Sequence, residues 1–577
     1  MKRYLRTIPA VVILCITLLA PCSAAVRRSP YPTAQNKKGI ALGWDMEEDS
    51  IELNVCHATF NFSLSQIFAL EGEKNSRSSY AYTYKGKKYW FRKPNINSYD
   101  RTLKKLKKNN TVVTGILLME KRRDLKQLIC SSGRSKKAYF YAWNMDNGKN
   151  QRQIEAAISF LANRYNGGKH GSVVGWIVGN EIDSPDDWNE AGKISFSRYM
   201  DLYCRMFEVS SKIVRKAYAN ARLYIPLDHF WNMIYSNKYT ARACLEAFAA
   251  RMKKDGYAWN LAYHAYNGDL MQPSITDPQY FETTQDIDSP IITMKNLNVL
   301  SDYIRTNYGE KTRIMLSEHG YSSTWKHKKV SAQQCLSIAL SYYLTQLDPM
   351  VDSFIYYSQV DQNDLKKVGA TFGIWNVSKH ENATSKKQSW STFKYMDTDL
   401  DDPILKEARN TAEKMTGRKV EPTRKIRRTT LKIRGKYGLK KKLTKGWKAC
   451  GAVSSVRRKG GRYTLRRDTS RNKNVYWGLQ QNFKKLNVSS SPHLVLTVRK
   501  GRLTTGRTQL LIRVFSGKKS VFETYADIRS KKTQRLQADL SGWQGRKAIT
   551  RIEILVKRES GKWKSRSGAV VEKIGFF

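Results

Sequence analysis

Residues 173–181 read VVGWIVGNE and residues 313–318 read RIMLSE. Each is a short, nearly continuous apolar run that ends on a carboxylate. A run of that length, apolar without alternation, describes a strand buried on both faces, as in a parallel sheet with helices outside it. Working outward, the same pattern recurs at Ile51–Asn61, Thr111–Met119, Ala138–Asn144, Arg222–Phe230, Trp259–Tyr266 and Asp352–Gln359. Between these runs apolar residues fall at helical spacing, over Ile154–Tyr165, Tyr199–Tyr218, Thr293–Tyr308 and Ala332–Leu347. Strand and helix in alternation predict βαβ units. Eight of them over this length predict an α/β fold of the (β/α)₈ TIM-barrel type. An open doubly wound sheet is the alternative, but the Gly-rich phosphate loop expected after its first strand is absent.

Past Gly417 the character changes. A basic connector, Val420–Lys448, leads to short alternating runs at Arg462–Arg466, Val475–Leu479, His493–Val498, Gln509–Phe515, Ser520–Tyr525, Ile549–Val556 and Ala569–Phe577. Turn residues such as Gly460-Gly461 and Ser516-Gly517 separate them, which predicts an all-β sandwich of jelly-roll-like type. The expected organisation is a signal peptide over 1–25, the barrel over 26–418, a basic linker over 419–448, and a carbohydrate- or wall-binding-like β-sandwich over 449–577.

Lys2, Arg3 and Arg6 precede an apolar stretch from Ile8 to Ala20 and small residues at Ser23, Ala24 and Ala25. This is the pattern of a secretory signal, so a secreted or cell-surface protein is expected. Lipid attachment at Cys22 would place Pro21 just before the modified residue, which disfavours it. Cys56, Cys130, Cys204, Cys244, Cys335 and Cys450 lack disulfide-framework or zinc spacing and read as buried free thiols. The 577-residue chain is 41% hydrophobic and 11% aromatic, enough for a large core, yet carries a net charge of +53. Roughly two-thirds of that charge lies beyond Arg418, in runs such as Arg424–Arg428 and Lys440–Lys442. Such a field attracts polyanions. For a secreted protein, anionic cell-wall polymers are the expected partner of the C-terminal region. Nucleic acid is not expected, since no zinc finger, helix-turn-helix or RNA-binding signature is present.

Catalytic groups of a barrel sit where strands meet their following loops. Glu181 and Glu318 end the runs read as strands four and seven. Two carboxyl groups facing one cleft are the equipment of glycosidic cleavage: one protonates the leaving oxygen, and the other attacks the anomeric carbon or activates water.

Asn180-Glu181 at the end of a fourth strand, with Glu318 closing a seventh, resembles clan A of the glycoside hydrolases, over about two-thirds of the chain. The resemblance implies a retaining glycosidase with Glu181 as acid/base, Glu318 as nucleophile and Asn180 on the sugar 2-hydroxyl. It also implies an orienting role for His264 and Tyr266 on strand six, with Tyr266 bonded to Glu318. Trp143 and Asn144 on strand three, and Asp228, His229 and Trp231 at strand five, are further candidates for the sugar cleft. So are His319, Tyr357 and Gln359. The clan often has a Trp where Tyr357 stands, a departure for which Trp375 is the candidate substitute. Aromatic rings suit such a cleft because they stack on pyranose faces. The expected partner is a carbohydrate, acted on by a monomer without metal or organic cofactor. The competing readings are a non-catalytic glycan or polyanion binder that keeps the barrel, and a lyase using His264 and Tyr266.

Overall fold

In the computed structural model the chain forms two compact units, divided between Arg424 and Lys425. The described residues are 26–400, 402–424, 441–442, 446–450, 454–459, 462–467, 477–489, 493–500, 508–517, 520–528, 533–540, 543–558 and 567–576. The signal-peptide reading and most of the basic linker fall outside them.

The first unit is a closed barrel of eight parallel strands: β1 Lys38–Ala41, β2 His57–Ser63, β3 Val112–Leu118, β4 Gly175–Val178, β5 Arg222–Leu227, β6 Asn260–Tyr263, β7 Ile314–Leu316 and β8 Val351–Tyr356. Each strand pairs with the next in sequence, and β1 closes the ring on β8 through Gly39↔Ile355 and Ile40↔Tyr356. Long helices cross between them, including Lys93–Lys108, Gly148–Arg164, Phe196–Ala217, Ala241–Asp255, Leu297–Tyr308 and Ser331–Leu347. This is the (β/α)₈ TIM barrel. Ile116, Leu118, Ile177, Tyr224, Ala262, Met315 and Ile355 pack together in its interior, so the barrel is filled by side chains and is not a pore.

Two readings of the sequence are corrected, and the corrections cancel. The true first strand, Lys38-Gly39-Ile40-Ala41, lacks an apolar run. Its Lys38 is nevertheless wholly buried, because Nζ is 2.7 Å from Asp397 Oδ1 on the far side of the sequence. Conversely, Ala138–Asn144 is not a barrel strand. The backbone of that segment spends its hydrogen bonds on loops: Tyr141 N on Met119 O, Ala142 N on Glu190 O, and Asn144 N on Leu128 O. Its place in the ring is already filled, since β3 pairs directly with β4 through Thr114↔Gly175 and Ile116↔Ile177. One strand missed and one supplied in error leave Glu181 after the fourth strand and Glu318 after the seventh. The first predicted strand also begins too early, since Glu47–Glu52 is helical and the strand starts at His57.

The second unit holds two antiparallel sheets. Its strands are β9 Ser454–Lys459, β10 Arg462–Arg467, β11 Trp477–Leu486, β12 His493–Lys500, β13 Thr508–Ser516, β14 Ser520–Ile528, β15 Gln534–Asp539, β16 Ile549–Arg558 and β17 Ser567–Phe576. One sheet runs β9-β10-β17-β12-β15 and the other β11-β16-β13-β14, with Lys448–Cys450 beside β11 and Lys441–Lys442 beside β17. Leu465, Leu496 and Ile574 from the first sheet share one core with Leu479, Ile512 and Ile554 from the second. Strands that alternate inward and outward residues from two facing sheets make such a core. The six cysteines from Cys56 onward are free thiols, four of them buried.

Candidate active site

β4 ends at Val178, and the chain turns at once. Gly179 takes φ +81°, a conformation that suits glycine, and Glu181 itself takes φ +32°. A non-glycine residue there is uncommon, and such backbones gather at functional sites where the surroundings over-determine them. The surroundings here are a set of buried phenols. Tyr203 donates to Val178 O at 3.0 Å, and Tyr199 donates to Ile182 O at 2.8 Å. Both come from helix Phe196–Ala217, so the helix after the strand fixes the loop that carries Glu181.

Strands β6 and β7 supply the remaining partners. His264 follows β6, and its Nδ1 lies 2.7 Å from Glu181 Oε1. Two residues on, the Tyr266 hydroxyl donates to Glu318 Oε1 at 2.8 Å. Thus one short segment after β6 holds both glutamates. Burial and the neighbouring Asp228 charge push Glu181 up to about 7, against the opposing pull of His264. Burial by itself would lower His264, but the Glu318 and Glu181 charges outweigh it and raise the imidazole to about 9. Burial and the Glu318 charge raise the Tyr266 phenol well above its ordinary value, which keeps it a donor.

Glu181 and Glu318 border one cleft of ≈ 520 Å³, together with Asp228, His229, Tyr266 and Tyr357. Behind them lies a polar dyad. His229 Nδ1 is 2.5 Å from Asp228 Oδ1, and His229 contact outweighs burial to hold Asp228 below its ordinary value. Asp183, fully buried, accepts the Asp228 amide at 3.1 Å, and burial with the Asp228 and Glu181 charges raises it well above the usual carboxylate range. The site therefore sets Glu181 and the buried Asp183 above their ordinary values and Asp228 below its own. That division is what general-acid chemistry needs.

The expected cleft residues divide. Glu181, Glu318, Tyr266, Asp228, His229 and Tyr357 line the cleft, and His264 touches it through Glu181. Asn180 is 9% exposed and lies outside the lining. Trp143, Asn144 and Trp375 do not line it either. Trp143 is fully buried, and Asn144 donates to Gln127 O, both in the loop segment described above. Trp375 donates its indole N–H to Asp49 Oδ2, in a cluster with Trp390 and Gln359. Trp231 is buried and donates to Ile287 O, and His319 sits against Phe354 with ring centroids 4.3 Å apart. Burial lowers His319 to about 3.

Sequence reasoning missed the aromatic wall: Trp188, Phe230, Tyr235, Tyr280 and Phe281. Tyr235 and Tyr280 are 63% and 76% exposed, and both pack on Phe281 with centroids 4.8 Å apart. Trp188 stacks on Tyr139 at 4.8 Å. These rings come from long βα loops, where no periodicity marks them. The available signal was the length of loop 264–296 itself, since a loop so long without regular structure is usually functional. Among the described residues no group of three or more His, Cys, Asp or Glu side chains forms a metal site.

Residues 30–418 match the family described as a family of unknown function, DUF5722, and the chain belongs to it. No curated protein matches the chain. Solved structures similar to it include a glucosidase from Croceicoccus marinus, 10% identical, aligned over 93% of this chain and 100% of that one with a TM-score of 0.41. The β-glycosidase from the hyperthermophile Thermosphaera aggregans is 12% identical over 61% of this chain and 84% of its own, with a TM-score of 0.42. A family 1 β-glucosidase from Thermotoga maritima is 12% identical over 61% and 85%, with a TM-score of 0.39. At these identities and scores the likeness carries no argument about activity, and the barrel rests on its own strand pairing.

Proposed function

We propose that this protein is a glycoside hydrolase acting by a retaining, two-glutamate mechanism. One observation carries the reading: Glu181 and Glu318, from the ends of β4 and β7, face one aromatic-walled cleft, with Glu181 raised to about 7 and Glu318 hydrogen-bonded by Tyr266. In this reading the Glu181 proton passes to the glycosidic oxygen as the bond to the anomeric carbon breaks, and Glu318 Oε attacks that carbon. Glu181, now ionised, then takes a proton from water, whose oxygen displaces Glu318 and releases the sugar.

Chemical rescue tests the assignment. Glu318→Ala abolishes turnover on every substrate. Glu181→Ala costs about 10²–10⁴-fold on glycans with poor leaving groups and much less on activated aryl glycosides. Added azide restores turnover to Glu181→Ala with formation of a glycosyl azide of retained configuration. Equal losses for both variants on both kinds of substrate would refute the roles.

The finer proposals stand beside this one. Residues 1–25 direct secretion, and the second unit is a jelly roll that attaches the monomer to anionic cell-wall polymers. The strand order supports the jelly roll, because consecutive strands β10 to β17 are shared between two sheets as β10-β17-β12-β15 and β11-β16-β13-β14. The concentration of basic residues beyond Arg418 supports the attachment.

A further inference from the structure

The charge of the cleft runs against the charge of the chain. A protein of net charge +53 lines this cleft with Glu181, Asp187, Asp228, Asp269 and Glu318, and with no lysine or arginine. Two of these carboxylates, Asp187 and Asp269, have no part in the two-glutamate chemistry. Asp187 is exposed and has no side-chain partner among the described residues, while Asp269 accepts only the Met271 amide on one oxygen. A second observation points to a polar ligand. His229 borders the cleft at 2% exposure, with Nδ1 committed to Asp228 and Nε2 buried without a partner among the described residues.

Sugars bearing carboxylate or sulfate are recognised through arginine and lysine, whose forked or point charges match the anion. Here such a group would meet five acidic side chains and no lysine or arginine. A hydroxyl can use His229 Nε2, and an ammonium can use Asp187 or Asp269. We infer that the cleft takes neutral or amino-substituted sugar units and rejects acidic ones, with Asp187 and Asp269 setting that charge preference. The polymer that the basic chain is drawn to is therefore not the polymer that it cuts. This inference rests on the glycosidase reading and names its substrate class.

The test measures reducing ends released by the full-length protein from neutral polysaccharides (β-glucan, mannan, xylan), from chitosan, and from polygalacturonate, alginate and hyaluronan. Release confined to the neutral and amino polymers is expected. Asp187→Lys and Asp269→Lys should each lower kcat/KM on chitosan about tenfold relative to a neutral polymer, from the loss of one attraction and the gain of one repulsion at a solvent-screened site. The isosteric Asp187→Asn should fall between, and it guards against misfolding. Release from an acidic polymer at a rate matching the best neutral one would overturn the inference and leave the glycosidase reading standing. Release from none of the polymers would overturn both.

Discussion

Replacing Tyr266 by Phe removes one oxygen and keeps the ring against Phe372, whose centroid is 6.0 Å away. What is lost is the 2.8 Å hydrogen bond from a buried phenol to Glu318 Oε1. A hydrogen bond to a charged group is worth about 1.5–3 kcal/mol, and Glu318 Oε1 loses that donor. At 1.36 kcal/mol per factor of ten, kcat/KM should fall by about 10- to 150-fold. Because Tyr266 bonds the proposed nucleophile, the loss should be the same for aryl glycosides with good and poor leaving groups. Glu181→Ala should instead discriminate steeply between them. The assay is kcat/KM on such a pair, with the melting temperature of Tyr266→Phe confirming an intact fold. A loss below about threefold, or one that follows leaving-group ability as in Glu181→Ala, would refute the claim that Tyr266 holds the nucleophile.

Other outcomes follow from the same geometry. With Glu181 at about 7, activity should fall on the alkaline side with an apparent pKa near that value, and His264→Asn should move the limb upward, because His264 holds Glu181 down. An unmoved limb would mean that another group sets it. Stability carries the same signature. Folding raises Glu181 from 4.5 to about 7 and His264 from 6.5 to about 9. A raised folded-state pKa stabilises the fold below the unfolded value, and that stabilisation is lost as pH climbs through the folded one. Melting temperature should therefore decline from pH 4.5 to 9 more steeply in the wild type than in Glu181→Gln, and parallel curves would refute this. Asp397 neutralises the fully buried Lys38 and also accepts from Arg424 Nε at 3.0 Å. Asp397→Ala should cost about 3–5 kcal/mol in denaturant unfolding, whereas Lys38→Met, which leaves Asp397 its arginine, should cost far less. Retention on an anionic polymer should fall steeply between 50 and 500 mM salt, since exposed charges are screened over about 10 Å at 0.1 M. Salt-independent retention would rule out a charge-driven attachment.

Much of the barrel was legible because strands such as β3, β4 and β7 are buried along their whole length, and burial on both faces writes an apolar run into the chain. The paired glutamates were legible for a related reason: a carboxylate closing such a run has to stand at a strand end. β1 was illegible. Lys38 is tolerated inside only because Asp397 meets it from 359 residues away, and no local pattern records a partner at that distance. Ala138–Asn144 misled because Tyr141 and Trp143 are buried in a loop, and burial of alternate rings looks the same in sequence whether a strand or a loop provides it.

The sequence by itself determined the barrel class, the two-unit division and the two glutamates, since these follow from periodicity, composition and position along the chain. Tertiary structure alone decided that His264 meets Glu181 and that Asp183 lies buried behind Asp228. It alone decided that the cleft wall comes from Trp188, Tyr235 and Tyr280 in place of Trp143 and Trp375. Loops obey no repeating hydrophobic pattern, so their side chains acquire neighbours only when the barrel closes. The raised pKa of Glu181 arises in the same way, from burial and from the charge of Asp228 one strand away.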